Sequence, residues 1–154
     1  MQDASKHYIN GQWVASIDGR EMAVENPSTE EKIATITLGG VADADAAVAA
    51  AKAAFRAWAA TDPLGRIAAL ERLMEVYKRQ AEDMAQAISV EMGAPIALAR
   101  TAQVGAGAGH LKNTIRAAKA FAFERPLGDH APSDMILYEP VGVCALITPW
   151  NWPM

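Results

Sequence analysis

The sequence has a single cysteine, Cys144, in 154 residues. No internal disulfide can form, so a reducing, cytoplasmic setting is the default expectation. No apolar run approaches the ~18 residues that a membrane helix needs. The opening stretch MQDASKHYIN lacks the charged-then-apolar order of a secretory leader. Basic residues are not in excess: 14 Lys and Arg face 18 Asp and Glu, for a net charge of −4. That argues against a surface built for nucleic acid or an anionic membrane, either of which needs a basic patch. Three histidines, His7, His110 and His130, stand far apart and form no His-x₃-His or Cys/His ligand set. They are expected at the surface or in loops, and no metal site is read. What is present is a globular composition, 51% hydrophobic and 21% charged, long enough for one ordinary domain with a core.

The first forty residues read as strands and turns. In YINGQWV, the pair Asn10-Gly11 lies between apolar flanks, a strong hairpin signal because both residues accept positive φ. Asp18-Gly19 supplies a second turn, and ENPST breaks the chain at Pro27. Lys32 to Leu38, KIATITL, is β-branched and predicts another strand, closed by Gly39-Gly40. Three helical stretches follow. The first spans about 42–60, with Val48, Ala51, Phe55 and Trp58 on one face. The second opens at TDP, where Asp62 suits an N-cap and Pro63 the first turn. Ile67, Leu70, Met74, Tyr77, Ala81, Met84 and Ile88 then recur at steps of three and four, which predicts one buried stripe. Gly93 suits the stop, and Pro95 opens a third stretch to about Phe121. Trp13 and Trp58 are expected in the core.

The end changes character. MILYE predicts a strand stopped at Pro140. Val141 to Ile147, VGVCALI, is an apolar run between prolines, as expected of a strand buried on both faces in a parallel sheet. A parallel sheet needs more strands and crossover helices, so the chain is expected to stop just as a second, α/β unit begins.

Four features bear on chemistry. VGAGAGH, Val104 to His110, is G-x-G-x-G inside a helical pattern. A dinucleotide fingerprint needs a different spacing and a preceding strand. Close packing against another backbone better explains three residues that each cost a helix ~1 kcal/mol. Cys144, within an apolar strand, is expected to be a core thiol, since a reactive one needs an accessible, electropositive setting. Glu91 is expected to be a solvated carboxylate. TPWNWP follows the carboxyl end of the expected parallel strand, where open α/β sheets bind ligands. Asn151 could donate its amide to a developing oxyanion, with stiff proline and tryptophan neighbours excluding water. It could equally cap a helix in an aromatic turn packed on the core. From the residues alone the two readings stand even.

Taken in order, these segments resemble the N-terminal portion of the aldehyde dehydrogenase superfamily. HYINGQWV resembles its opening hairpin. ENPSTEEKIATITLGGVADADAAVAAAKAAFRAW resembles its Asn-Pro-x-Thr strand and first helix. EMGAPIALA resembles the turn into its long helix. YEPVGVCALITPWNWP resembles its Glu-Pro-x-Gly-Val and Pro-Trp-Asn-(aromatic)-Pro motifs. The resemblance implies an NAD(P)-dependent oxidoreductase that oxidises an aldehyde or semialdehyde to a carboxylic acid through a cysteine thiohemiacetal, with a glutamate activating water. It implies that Asn151 is the oxyanion donor. It also implies that Ile147, Thr148, Pro149 and Trp150 line the nicotinamide half of the site for NAD or NADP. The nucleophilic cysteine, the base and the ribose-holding lysine and glutamate are implied downstream, and Cys144 does not match the nucleophile.

The expected architecture is therefore α/β: N-terminal β-hairpins and a helical layer of an aldehyde dehydrogenase-like fold, truncated after the first strand of a Rossmann-like cofactor domain. Residues 1–132 would form the hairpins and helices, 133–140 an oligomerisation strand, and 141–154 the start of the cofactor-binding core. The intact enzyme would be a homo-oligomer, dimer or tetramer, acting on a small-molecule aldehyde, with no nucleic-acid or membrane partner. The chain alone would be inactive. The rival reading is a non-enzymatic helical module that pairs with a full-length relative.

Overall fold

The computed structural model describes residues 5–154, so the first four residues of the 1–132 segment lie outside the described residues. Strand β1 (Lys6–Ile9) pairs antiparallel with β2 (Gln12–Ala15), Tyr8 opposite Trp13. The turn is the one its sequence predicts: Asn10 has φ 51° and Gly11 φ 77°. Strands β3 (Arg20–Asn26) and β4 (Glu31–Leu38) form a second antiparallel pair with a bulge at Val24/Glu25. Their turn is tied by Asn26, whose side chain accepts the Ser28 N–H at 2.8 Å.

Helix α1 (Val41–Ala59) begins at Gly40. Its first turn is capped by two aspartates rather than by an N-cap side chain. Asp18, from the β2–β3 turn, accepts the Ala42 N–H at 3.1 Å. Asp43 accepts the N–H groups of Gly40 at 3.0 Å and Ile17 at 2.8 Å, together with the Ser16 hydroxyl. These donors, Ser16 first, hold the Asp43 carboxyl well below the usual carboxylate range. A side chain at Gly40 would collide with Asp18.

The long stripe from Ile67 to Ile88 is inward-facing, but on two helices, α2 (Pro63–Arg79) and α3 (Ala81–Met92), broken at Gln80. Asp62 caps α2 as expected, accepting the Gly65 N–H at 2.7 Å. Gly93 ends α3 in the left-handed region, φ 77°, with Pro27 of the β3–β4 turn packed against it. The third stretch is one short turn, α4 (Ile96–Leu98), a π-helical turn at Ala99–Gln103, then α5 (Val104–Ala120). The core gathers Ala85, Ile88, Ala94, Ala99 and Val104, with Tyr77, Met84, Met92 and Met154 packed around it. Strands β5 (Glu124–Pro126) and β6 (Met135–Leu137) close a third hairpin beside an edge-to-face cluster of Phe121, Phe123 and Tyr138. Among the described residues, no helix is long and apolar enough to cross a membrane.

Several expectations need correction. Trp13 and Trp58 are 62% and 53% exposed rather than in the core. The face of α1 that carries Val48 and Trp58 is largely open, because α1 packs mainly against β1. His7 lies half-buried on β1, with Nε2 enclosed and unpaired, while His110 and His130 are exposed as expected. Of the three glycines in VGAGAGH, only Gly107 is closely approached, and by the Tyr77 and Met154 side chains rather than by backbone; Gly105 and Gly109 face open space.

Candidate active site

The segment carrying the candidate site begins after β6. Residues 141–149 form no regular element and pair with no strand among the described residues. A strand is buried by neighbours on its edges and by layers on its faces, and none lies beside this run. Val141 is consequently 95% exposed and Ile147 94%. Cys144 is exposed too, which corrects its reading as a core thiol.

The chain then turns at Trp150–Asn151 and its last residues fold back onto the helical layer. Trp150 and Pro153 form one wall of an apolar cleft of about 430 Å³, with Met84, Ile88 and Met92 of α3 and Pro27 of the β3–β4 turn opposite. Glu91, exposed as expected, lies at its rim. Beneath the turn, Gln103 at the end of the π-helical turn is only 2% exposed. Its Nε2 donates to the Asn151 carbonyl at 3.0 Å. Tyr77 Oη donates to the Val104 carbonyl at 2.8 Å, and burial pushes its hydroxyl pKa up. Met154 packs over Gly107.

Asn151 thus has a held backbone and a free side chain. Its amide is exposed and makes no hydrogen bond among the described residues. An exposed side-chain amide with no partner keeps both its N–H donors available. Ile147, Thr148, Pro149 and Trp150 precede it as one exposed, uncharged strip. Gln103 was not singled out by sequence. The available signal was a polar residue set among apolar ones, four positions after Ala99 and so on the same helix face.

The sequence pattern of the aldehyde dehydrogenase family matches residues 13–154. The chain belongs to the aldehyde dehydrogenase family. It is 40% identical over 155 aligned residues to a 3-succinoylsemialdehyde-pyridine dehydrogenase of a Pseudomonas species, covering 100% of this chain and 32% of that protein. It is 38% identical to a putative aldehyde dehydrogenase of Staphylococcus saprophyticus, covering 99% of this chain and 31% of that one. Its fold matches the crystal structure of an aldehyde dehydrogenase C mutant from Pseudomonas syringae, complexed with NAD⁺ and octanal, with a TM-score of 0.91 and 44% identity. That match covers 97% of this chain and 30% of the other. The chain therefore spans about a third of the length of the curated aldehyde dehydrogenases it matches, at their N-terminal part. Members of this family use NAD(P).

The residues of the strip can be tested against such a cofactor. A nicotinamide is flat and needs an apolar face with polar edge contacts. Trp150, 81% exposed, with Ile147 and Thr148 nearby in sequence, offers those groups. None of the four residues is charged, so the strip suits the nicotinamide half and holds no cation for the diphosphate.

Proposed function

We propose that this aldehyde dehydrogenase chain is the N-terminal part of a cytoplasmic enzyme that oxidises an aldehyde or semialdehyde to a carboxylic acid with NAD or NADP. In this reading it contributes one wall of the active site. Ile147, Thr148, Pro149 and Trp150 bind the nicotinamide half of the cofactor, which when bound accepts the hydride lost by the aldehyde carbon. Asn151 donates its side-chain amide to the aldehyde oxygen as negative charge develops there. The nucleophilic cysteine and the base that activates water belong to sequence beyond residue 154. Residues 141–154 begin the Rossmann-like cofactor-binding core, and the 133–140 strand pairs subunits in a dimer or tetramer.

The observation that carries this reading is the exposed, unpartnered side-chain amide of Asn151 on a turn whose carbonyl accepts from the buried Gln103. The exposed apolar run before it supports the reading, since such surface is characteristic of a sheet or interface awaiting its other half. Asn151→Ala in the full-length protein should lower kcat roughly 10²–10³-fold, the usual loss for one oxyanion donor. An unchanged kcat, with hydride transfer rate-limiting, would reduce Asn151 to a loop residue. The 154-residue chain alone should produce no NADH from aldehyde. Steady aldehyde-dependent production by that chain would overturn the division of labour.

A further inference from the structure

We infer that Gln103 is the positioning residue for Asn151, acting through the Asn151 carbonyl rather than through substrate. The inference rests on the assignment of Asn151 as oxyanion donor. Three observations converge on it. First, the bond from Gln103 Nε2 to the Asn151 carbonyl, 3.0 Å across 48 positions of sequence, is the only hydrogen bond found among the described residues between 141–154 and the rest of the chain. With Gln103 at 2% exposure, water competes poorly for it. Second, Gln103 ends the π-helical turn Ala99–Gln103. The residue inserted by such a turn resets the helix register, and Ala99 and Gln103 are both enclosed, at 0% and 2%. Four positions apart, the two share one face of the helix. Third, one helical turn further on, the missing side chain of Gly107 leaves room for Met154: a Cβ there would lie 3.0 Å from the Met154 Cβ. The turn bearing Asn151 is thus pinned by a hydrogen bond near its start and a packing notch at its end.

Fixing that carbonyl fixes the peptide plane after Asn151. It limits how far the Asn151 side chain can swing from the position where the oxyanion forms. The other end of Gln103 sharpens the case. Its Oε1 is enclosed without a partner, an arrangement that stability alone does not favour, since a buried unpaired acceptor is costly. A methionine of similar shape would remove the donor and the orphan acceptor together, so Gln103→Met should fold. Gln103→Glu keeps the shape and, once ionised at alkaline pH, replaces the donor with an acceptor facing the Asn151 carbonyl.

The test compares, at alkaline pH, the protein as encoded with its Gln103→Met and Gln103→Glu variants by two readouts. The first is amide hydrogen exchange without ligand. Both variants should exchange several-fold faster at residues 150–154, while α2 and α5 keep their protection. Unchanged exchange at 150–154 overturns the inference. The second is steady-state kinetics with an aldehyde and NAD⁺. Both variants should lose kcat, roughly 10- to 100-fold for a misplaced group, with little change in the aldehyde KM. Faster exchange with wild-type kcat also overturns it. If wild type oxidises no aldehyde, the proposed function fails, and exchange alone decides whether Gln103 anchors the turn.

Discussion

Gly107→Ala, set beside Gly105→Ala, asks whether the close approach under the Asn151 turn is energetically real. Replacing glycine by alanine within a helix contributes about 1 kcal/mol of stability through propensity alone. At Gly105 nothing lies within 4 Å of the added methyl, so Gly105→Ala should collect that gain. At Gly107 the methyl would collide with Tyr77 Oη and lie 3.0 Å from the Met154 Cβ. Tyr77 then has two alternatives. It can stay, strained, or swing away and give up its 2.8 Å bond to the Val104 carbonyl. Overpacking costs about 1–3 kcal/mol, and a lost neutral hydrogen bond about 0.5–1.5. The protein takes the cheaper of the two, so Gly107→Ala should trail Gly105→Ala by about 0.5–1.5 kcal/mol. Urea unfolding of the three proteins, with equal m-values, measures the gap directly. Adding Tyr77→Phe should recover part of the loss at Gly107 and none at Gly105. Equal midpoints for the Gly105 and Gly107 variants would refute the packing argument, and with it the notch that seats Met154.

Asp62→Ala removes the N-cap bond to Gly65 and should cost about 1 kcal/mol by the same unfolding assay. The carboxyl pKa of Asp43 is lower folded than unfolded, so its contribution to stability is complete above its ordinary value of 3.8 and is lost as pH falls below it. The melting-temperature gap between wild type and Asp43→Asn should therefore narrow as pH drops below about 4; a gap that widens would reverse the sign. Glu82 is held down to about 2, chiefly by its hydrogen bonds from Arg100 and then Gln86. Because both Glu82 and Arg100 are about half exposed, Glu82→Gln should change stability little, and less at high salt. The 154-residue chain alone should self-associate through its uncovered 141–147 run, since Leu146 and Ile147 are 89% and 94% exposed. Sedimentation should show that association weakened by Leu146→Asp, whereas a concentration-independent monomer would count against it.

Sequence alone determined what depends on neighbours along the chain. Asn10-Gly11 can take positive φ locally, so the hairpin was legible. Asp62-Pro63 and Gly93 mark helix ends by their own backbone chemistry, and a stripe at helical spacing declares its inward face. The family motifs alone carry the proposal for Asn151 and the four residues before it. Tertiary structure decided everything that depends on what lies alongside. Val141 to Ile147 has the composition of a buried strand, yet burial is supplied by other strands, so the run and Cys144 stand exposed. Trp13 and Trp58 are large and apolar, yet the described residues leave more than half of each uncovered. The break at Gln80 and the π-helical turn at Ala99–Gln103 leave the apolar spacing almost untouched, so periodicity passed over both. Gln103 lies beneath Asn151, a contact between residues 48 positions apart. Local spacing carries no information about such a pair, because only packing of the helices and the terminal turn brings the two together.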